Sequence, residues 1–567
     1  MLFLIKILLL FRIIVYILSE EIGKSKGAYI KTPEIQSLQY RLGNSLGYYG
    51  FGWNESKLSN LSRFAGYDTQ KKRLMEFHLN NWGYDIELED CKNNKNFEIL
   101  DVVGYLGYPS KEHSSNAKGN SEYYYPKNLY EPIWLDDDKI NPYNYWANYV
   151  NKTISIYKDY IKIWEIWDKP DFTENYINIQ KWATEPPNST DLSHWHGTIF
   201  EYIRLIRIAY EVAKKIDPNC WIVLGGLRYP QFLDAIMRYS DNPDNGKITE
   251  EYPAFGGAYF DGISNHMYPE DNLPSLELDS KYNKNGSDIL SEKIVILKDL
   301  HYNVTKKYEF DGIKYPKKLF INTETGINSG ESQEVDLLRR NWILKLALYS
   351  IEYDIRQIHM PYLADNNGGM GDFDKLGKFI SVDEGSKSLK NSSKGRNILK
   401  KINLGKFIFD EKNTQKFRKS LPKGMTGIAL KRNFEKEKNE KYYYKYLYSV
   451  WLYCEEEEIT ENQEIEIDIS FDPLVIDWEG NEKKKNKKIK VSSTPIFLLG
   501  GEDMDKDDEG DDEDDDTNGF VIFLEVLGVL LLIAVLIGFG LYVYKRYLTK
   551  KSLDIDNENL NEGLTSN

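Results

Sequence analysis

The chain has 567 residues, of which 14% are aromatic, and this is enough to build a large barrel and a second domain. The formal net charge is −15, but residues 502–516 alone carry twelve acidic residues and one lysine, so the rest of the chain is close to −4. This distribution excludes a basic nucleic-acid-binding surface.

The cysteines give little information about the fold or the chemistry. Cys91, Cys220 and Cys454 have no metal-ligand spacing and allow at most one disulfide. Nothing in the sequence motifs indicates a metal ion or an organic cofactor, and we expect neither.

The N-terminus predicts a secretory signal peptide over residues 1–19. These residues are apolar apart from Lys6 and Arg12, and Ser19 marks a plausible cleavage point. An uncleaved membrane anchor is the alternative.

A second apolar stretch, residues 519–544, predicts a transmembrane helix. Its cleanest part, 526–544, would be about 28 Å long as a helix, close to the roughly 30 Å hydrocarbon core of a bilayer. Lys545 and Arg546 follow at once, so residues 545–567 are expected to be a cytoplasmic tail and the N-terminal bulk to lie outside, in a type I orientation. A buried core helix is the alternative.

Asn-x-Ser/Thr sequons between the two apolar segments favour a surface or secreted glycoprotein. Each is weak alone in an asparagine-rich chain. They begin at Asn54, Asn60, Asn151, Asn188, Asn285, Asn303 and Asn391.

In chain order, an N-terminal segment (20–44) precedes alternating strand and helix patterns over residues 45–404. Predicted strands cover 47–53, 96–108, 162–167, 220–225, 259–268, 318–327 and 356–363. Predicted helices cover 68–80, 143–160, 199–216, 231–239, 289–308 and 335–353. This alternation predicts an α/β fold with a parallel sheet, and its length favours a closed (β/α)8 barrel.

Residues 405–501 change to a β pattern. Strand-like runs at 442–452, 465–471 and 488–499 are separated by turn residues, which predicts an antiparallel β-sandwich. Residues 502–518 are an acidic stalk that cannot form a core.

A buried strand meets a proline in the stretch that begins at Lys162. Residues 162–170 read Lys-Ile-Trp-Glu-Ile-Trp-Asp-Lys-Pro, and Pro170 cannot continue a sheet ladder. Asp168 and Lys169 are therefore expected at the C-terminal end of a strand, where parallel barrels carry their chemistry.

This stretch resembles the fourth-strand motif of clan A glycoside hydrolases, Trp-Glu-Ile-Trp followed by Asn-Glu-Pro. Further similarity to xylosidase/iduronidase-like members lies at 195–198, 215–218, 223–227, 260–268, 323–326, 472–477 and 495–498. The resemblance implies a TIM barrel, a following β-sandwich and a carbohydrate ligand.

The resemblance also implies site residues. Glu324 matches the nucleophile, with an ion-paired or solvated carboxylate as the alternative. His266 and Tyr268 share one face of a strand and would contact sugar or orient the nucleophile, although His266 could equally be a satisfied core histidine. A retaining glycosidase needs its second carboxyl about 5–5.5 Å from the first.

Position 169 departs from the family pattern, because Lys169 stands where the family has its acid/base glutamate. A lysine with a pKa of roughly 10.4 is a poor proton donor near neutral pH, and losing the acid typically costs about 10²–10⁴ in rate. We expect Lys169 to pair with Glu324. Asp168 replaces an asparagine that donates a hydrogen bond to the sugar 2-hydroxyl.

Four carboxylates near this stretch are candidates to replace the missing acid. Glu165 shares a face with Lys169 but lies about 13 Å deeper along the strand. Asp171, Glu174 and Glu185 lie after the turn, and none has the position of the family glutamate.

Three functions remain open. The first is a cell-surface membrane glycoprotein with a hydrolase-like ectodomain that is catalytically impaired and binds carbohydrate or a protein partner. The second is an active membrane-anchored retaining glycoside hydrolase, and the third is a structural surface protein. Candidate carbohydrate-binding residues are Asp168, His266, Tyr268, Trp53, Trp195 and Arg228, although the two tryptophans could equally be core.

Overall fold

A computed structural model describes much of the chain between residues 32 and 500. The described residues are 32–45, 55–94, 98–118, 123–269, 280–327, 332–363, 372, 389–434, 444–456, 458, 463–466, 472–484 and 488–500. The predicted signal peptide, stalk, transmembrane helix and tail lie outside these residues, as does Trp53. Within the described ranges, no helix combines the length and apolarity needed to cross a bilayer.

Eight parallel strands close into a barrel in sequence order, which confirms the predicted (β/α)8 architecture. Closure occurs where the first strand pairs with the eighth, Gly43 lying opposite His359. The strands are β1 (Arg41–Ser45), β2 (Thr69–Arg73), β3 (Val102–Leu106), β4 (Ile161–Ile166), β5 (Trp221–Leu227), β6 (Gly262–His266), β7 (Leu319–Glu324) and β8 (Gln357–Met360).

Helices follow most of the strands. The longer ones are Glu55–Phe64, Tyr145–Tyr157, Ile199–Ile216, Pro230–Arg238, Ser287–Lys307, Gln333–Glu352 and Glu411–Ser420, and shorter ones are Glu76–Trp82, Leu88–Asn94, Tyr176–Ile179, Asn391–Lys394 and Arg396–Lys401. Ile199–Ile216 has the bounds that its apolar spacing predicts. Its start is set by a capping box, in which the Thr198 side chain and Glu201 satisfy each other's backbone N–H groups.

The barrel begins earlier than the sequence indicates. Its first strand, β1, overlaps the end of the predicted N-terminal segment, whereas the predicted first strand, residues 47–53, lies outside the described ranges. Strands of a parallel barrel are buried on both faces, so Arg-Leu-Gly-Asn-Ser shows no alternating pattern to mark it.

The prediction of one helix over residues 68–80 is wrong. The structure has strand β2 there, followed by the helix Glu76–Trp82. The strand reads Thr-Gln-Lys-Lys-Arg, which is typical of a solvated helix face. It is nevertheless buried, because Lys71 pairs with Glu165 of β4 and Lys72 pairs with Asp90.

Antiparallel sheets follow the barrel, as predicted, within the same compact unit. One has six strands in the order β14-β13-β16-β11-β10-β9, and the other pairs β12 with β15. The strands are β9 (Phe407–Phe409), β10 (Met425–Arg432), β11 (Tyr446–Leu452), β12 (Gln463–Glu466), β13 (Leu474–Ile476), β14 (Glu482–Lys484), β15 (Lys488–Val491) and β16 (Ile496–Gly500).

A buried carboxylate joins the six-stranded sheet to the barrel helices. Asp288 accepts hydrogen bonds from Trp451 Nε1 at 2.8 Å and from the backbone N–H of Cys454 at 2.7 Å. Lys345 supplies the counter-charge at 2.7 Å. These contacts hold the sheet against the barrel. Cys454, like Cys91 and Cys220, is buried and forms no disulfide.

Candidate functional site

Three strand ends bring the predicted site residues together. Lys169 follows β4, His266 ends β6 and Glu324 ends β7. The strands are parallel, so these ends lie at one rim of the barrel, the rim that carries the sites of such folds. In the register between β6 and β7, His266 lies directly opposite Glu324.

Glu324 is held by two donors on one oxygen. Lys169 Nζ lies 2.6 Å from Oε1, and the Tyr268 hydroxyl donates to the same oxygen at 2.8 Å. Burial alone would raise the pKa of this carboxyl, but His266 and Lys169 outweigh it and hold the pKa well below its usual value. Glu324 is therefore an ionised carboxylate, and the predicted ion pair with Lys169 is present.

The backbone after β4 turns so that Lys169 faces the barrel end. Trp167 and Lys169 both have positive φ, at 68° and 48°, a region that residues other than glycine seldom occupy. Burial opposes the charge on Lys169, yet Glu324 and Asp168 raise its pKa above the usual value. The side chain is thus a cation that faces the Glu324 carboxylate.

A buried polar chain supports His266 from inside the barrel. Its Nε2 lies 2.7 Å from Thr323 Oγ1, and the Thr323 hydroxyl donates to Glu165 Oε1 at 2.5 Å. Lys71 Nζ lies 2.5 Å from the other Glu165 oxygen. Burial would raise the pKa of Glu165, but Lys71 and His266 hold it at about 2. This arrangement fixes the imidazole in one orientation.

Asp168 lies on the opposite side of that imidazole. Its Oδ1 is 3.3 Å from His266 Nδ1, and its side chain is 25% exposed. His266 Nδ1 is also 3.7 Å from Glu324 Oε2. The histidine therefore stands between Asp168 and Glu324 on one side and Glu165 on the other.

A cavity of about 160 Å³ opens over these residues. It is lined by Lys169, Asp171, Phe172, His194, Gly226, Arg228, His266 and Tyr268. Typical ligand clefts are about 300–1,000 Å³, so this one has room for a small group of a ligand. Four of the predicted site residues, Lys169, Arg228, His266 and Tyr268, share its wall.

Trp195 is not brought to this cavity. It is fully buried, its indole N–H donates to the Thr198 carbonyl at 2.9 Å, and its ring packs edge-on against Trp167 and Tyr202. The core alternative that the sequence left open describes its position, whereas Trp53 lies outside the described residues.

None of the carboxylates considered as replacement acids lies beside Glu324 as Lys169 does. Glu165 is buried and paired with Lys71. Asp171 lines the cavity, but one of its oxygens accepts the backbone N–H groups of Arg228 and Tyr229 at 2.7 and 2.6 Å. Burial raises its pKa to about 6. Glu174 and Glu185 are exposed and do not line the cavity.

Sequence reasoning missed Lys71, Thr323 and His194. His194 lines the cavity and stacks between Tyr123 and Phe172, with ring centroids 4.2 and 4.4 Å apart. The sequence singled out the neighbouring Trp195 and the segment 323–326. It contains no motif that would connect His194 or Thr323 with Glu165, or that would mark Lys71 in the polar strand β2.

Two adjacent glycines at the end of β5 allow this packing. A Cβ on Gly225 would lie 1.7 Å from the Trp167 carbonyl oxygen. Gly226 has φ +56°, and a Cβ there would lie 2.5 Å from the His266 ring. The β4 turn and the imidazole both need the space that these glycines leave.

Comparison with solved structures places the fold among glycoside hydrolases. A family 39 glycoside hydrolase from the gut symbiont Bacteroides cellulosilyticus WH2 matches with a TM-score of 0.50 and 15% identity, over 82% of each chain. The catalytic domain of a family 30 xylanase C from Talaromyces cellulolyticus matches with a TM-score of 0.45 and 12% identity, over 82% of this chain and 98% of that one. No protein-family model matches the sequence, and no curated protein does.

The chain thus has a glycoside-hydrolase-like barrel, with an ionised carboxylate at the end of β7. Such a carboxylate can attack an electrophilic carbon or accept hydrogen bonds from ligand hydroxyls. Lys169 opposes the first use, because its ammonium stabilises the charge that a nucleophile would have to give up.

Proposed function

We propose that this protein is a carbohydrate-binding surface protein built on a glycoside-hydrolase barrel whose acid/base step is lost. The observation that carries the proposal is the 2.6 Å pair between Lys169 and Glu324. Under this proposal, Lys169 occupies the acid/base position and Glu324 occupies the position of the nucleophile.

Chemistry at the cavity supports binding in preference to turnover. A raised lysine pKa means that the proton on Lys169 is not available to a departing alkoxide near neutral pH. The same cavity offers Arg228 and the aromatic ring of Phe172 to a ligand. Charged and aromatic groups of this kind suit the hydroxyls and the apolar face of a sugar.

We further propose that the barrel is displayed outside the membrane. The support is the order of the sequence: a predicted signal peptide at 1–19, the barrel and sheets, an acidic stalk and an apolar segment at 519–544 followed by Lys545 and Arg546. Protease treatment of intact cells tests this, since digestion of the barrel without permeabilisation is expected, and protection would contradict it.

The function is tested with full-length protein on a glycan array and against a panel of aryl glycosides. We expect glycan binding that falls at least about tenfold in Arg228→Ala, because that side chain lines the cavity. Arg63→Ala is the matched control, since Arg63 is a partly exposed arginine on the helix Glu55–Phe64.

The aryl glycosides test the nucleophile separately, because good leaving groups need little help from an acid. Turnover of unactivated glycosides by the wild-type protein, abolished in Glu324→Gln, would overturn the proposal in favour of an active retaining hydrolase. No binding and no turnover on any sugar would overturn it in favour of a structural or protein-binding role.

A further inference from the structure

Three potential metal ligands meet between the ends of β4, β6 and β7. They are Asp168 Oδ1, His266 Nδ1 and Glu324 Oε2, and a ligand atom from each lies within 4.8 Å of the others. His266 Nδ1 is 3.3 Å from the Asp168 oxygen and 3.7 Å from the Glu324 oxygen.

The hydrogen-bond chain behind His266 determines which ring nitrogen is free. The Thr323 hydroxyl donates its hydrogen to Glu165, so its oxygen accepts from His266 Nε2 at 2.7 Å. When a metal ion displaces the proton of Nδ1, the imidazole keeps its hydrogen on Nε2 and directs the Nδ1 lone pair at the cluster. Such fixing of a histidine by a partner behind it is usual for metal ligands.

Burial supplies an independent indication. His266 is 4% exposed, and among the described residues its Nδ1 has no hydrogen-bond partner. The Oδ1 of Asp168 is likewise buried without one. A buried nitrogen and a buried carboxylate oxygen that face each other are costly unless a proton or a cation lies between them.

The two separations that involve His266 Nδ1 suit a cation. Ligands about 2.0–2.2 Å from Zn²⁺ in a tetrahedral site lie about 3.4 Å from one another, and the two measured separations lie on either side of that value. Lys169 and Tyr268 bind the other oxygen of Glu324, so Oε2 remains available.

We infer that Asp168, His266 and Glu324 form a site for a first-row divalent metal ion of the Zn²⁺ type, with an open coordination position toward the cavity. One imidazole and two carboxylates are a ligand set that Zn²⁺ accepts. The three ligands come from three strand ends far apart in sequence, so no spacing motif reveals them. An open position would accept an oxygen ligand such as a hydroxyl.

The experiment is a titration of chelator-treated, full-length protein with Zn²⁺ by calorimetry and with Co²⁺ by visible spectroscopy, in the absence of any sugar. We expect one tight site and a Co²⁺ spectrum of low coordination number. Asp168→Asn, which nearly preserves shape, is expected to weaken Zn²⁺ binding by at least about tenfold and to change that spectrum, because an amide is a poorer ligand than a carboxylate. Asp137→Asn, outside the cluster, is the control.

His266→Ala is expected to abolish the tight site, and Asp168→Asn keeps the test valid if His266→Ala does not fold. Binding that is equal in wild type, Asp168→Asn and His266→Ala would assign the ion to the acidic segment 502–516 and overturn the inference. Absence of a tight site in folded wild type would also overturn it. Since no sugar is present, neither result decides the proposed carbohydrate binding.

Discussion

Lys169 Nζ lies 2.6 Å from Glu324 Oε1, so a cation occupies the space between the ends of β4 and β7. The pair is mostly buried, with side-chain exposures of 26% and 16%. Each partner stabilises the charged form of the other, which shifts the lysine pKa up and the glutamate pKa down. Both pKa shifts oppose a reaction in which Lys169 would donate a proton and Glu324 would lose its negative charge.

We predict that Lys169→Glu introduces hydrolysis of glycosides with poor leaving groups. A glutamate there can donate a proton and no longer holds Glu324 in an ion pair, and general acid catalysis contributes about 10²–10⁴ in rate. The measurement is kcat/KM on a panel of alkyl and aryl glycosides.

Lys169→Gln is the matched control for that change, because it removes the ion pair without supplying an acid. It is expected to help only glycosides with good leaving groups. Equal rates for the two variants on alkyl glycosides, or activity that survives the addition of Glu324→Gln, would contradict the prediction.

The barrel could be predicted from sequence because most of its strands are apolar runs and most of its helices carry apolar residues at helical spacing. The helix Ile199–Ile216 and the region of β4 lie where their apolar spacing places them. Strand β2 could not be predicted, since its lysines are buried through partners in β4 and in the helix Leu88–Asn94. Charge pairing across such distances leaves no local pattern.

The candidate functional site could likewise be predicted only in part. Glu324, His266 and Tyr268 were predicted through the resemblance to clan A glycoside hydrolases, with strand alternation placing His266 and Tyr268 on one face, and the structure brings all three together. Lys71 and Thr323 act on the site through Glu165, which is a three-dimensional relationship. Trp195 illustrates the limit, since an aromatic residue in a suggestive motif can still belong to the core.

Lys71→Met should destabilise the protein strongly. It leaves Glu165 buried without its counter-ion, and breaking one side of a buried pair costs about 3–5 kcal/mol. Urea unfolding gives the loss, and the double change Lys71→Met with Glu165→Gln should recover part of it. The control Lys139→Met removes an exposed ion pair with Asp137 and should have little effect. Equal losses for the two single lysine variants would contradict the importance of the buried pair.

Gly226→Ala should weaken ligand binding in the cavity by more than backbone strain alone would cause. An alanine at positive φ costs about 1–2 kcal/mol by itself, and here its Cβ would also displace the His266 ring. Gly424→Ala isolates the strain, since Gly424 has φ +87° and a Cβ there would meet nothing within 4 Å. We expect only Gly226→Ala to weaken glycan or Zn²⁺ binding. If both variants bind as wild type does, the space beside His266 is not critical.

The buried Lys318 should make the stability of the protein depend on pH, independently of the candidate functional site. Burial, with Lys214 adding to it and Asp261 opposing, lowers its pKa from 10.5 to about 7, and its ammonium reaches the carbonyl oxygens of Gly257 and Phe260. Between pH 7 and 10.5 the unfolded chain keeps the proton and the folded protein loses it. The free energy of unfolding therefore gains up to about 1.4 kcal/mol per pH unit from this group across that interval.

Urea unfolding at several pH values from 6 to 10 gives the free energy of unfolding of wild type and of Lys318→Met. The difference between the two measures the contribution of Lys318, because the other titrating groups are common to both. The difference should be flat below about pH 7 and then shift in favour of wild type as the pH rises. Lys317→Met, which removes a partly exposed lysine paired with Asp354, should show no such trend. A difference that is flat for Lys318→Met over the whole interval would mean that Lys318 stays charged in the folded protein, with Asp261 and the two carbonyl groups sufficient to solvate it.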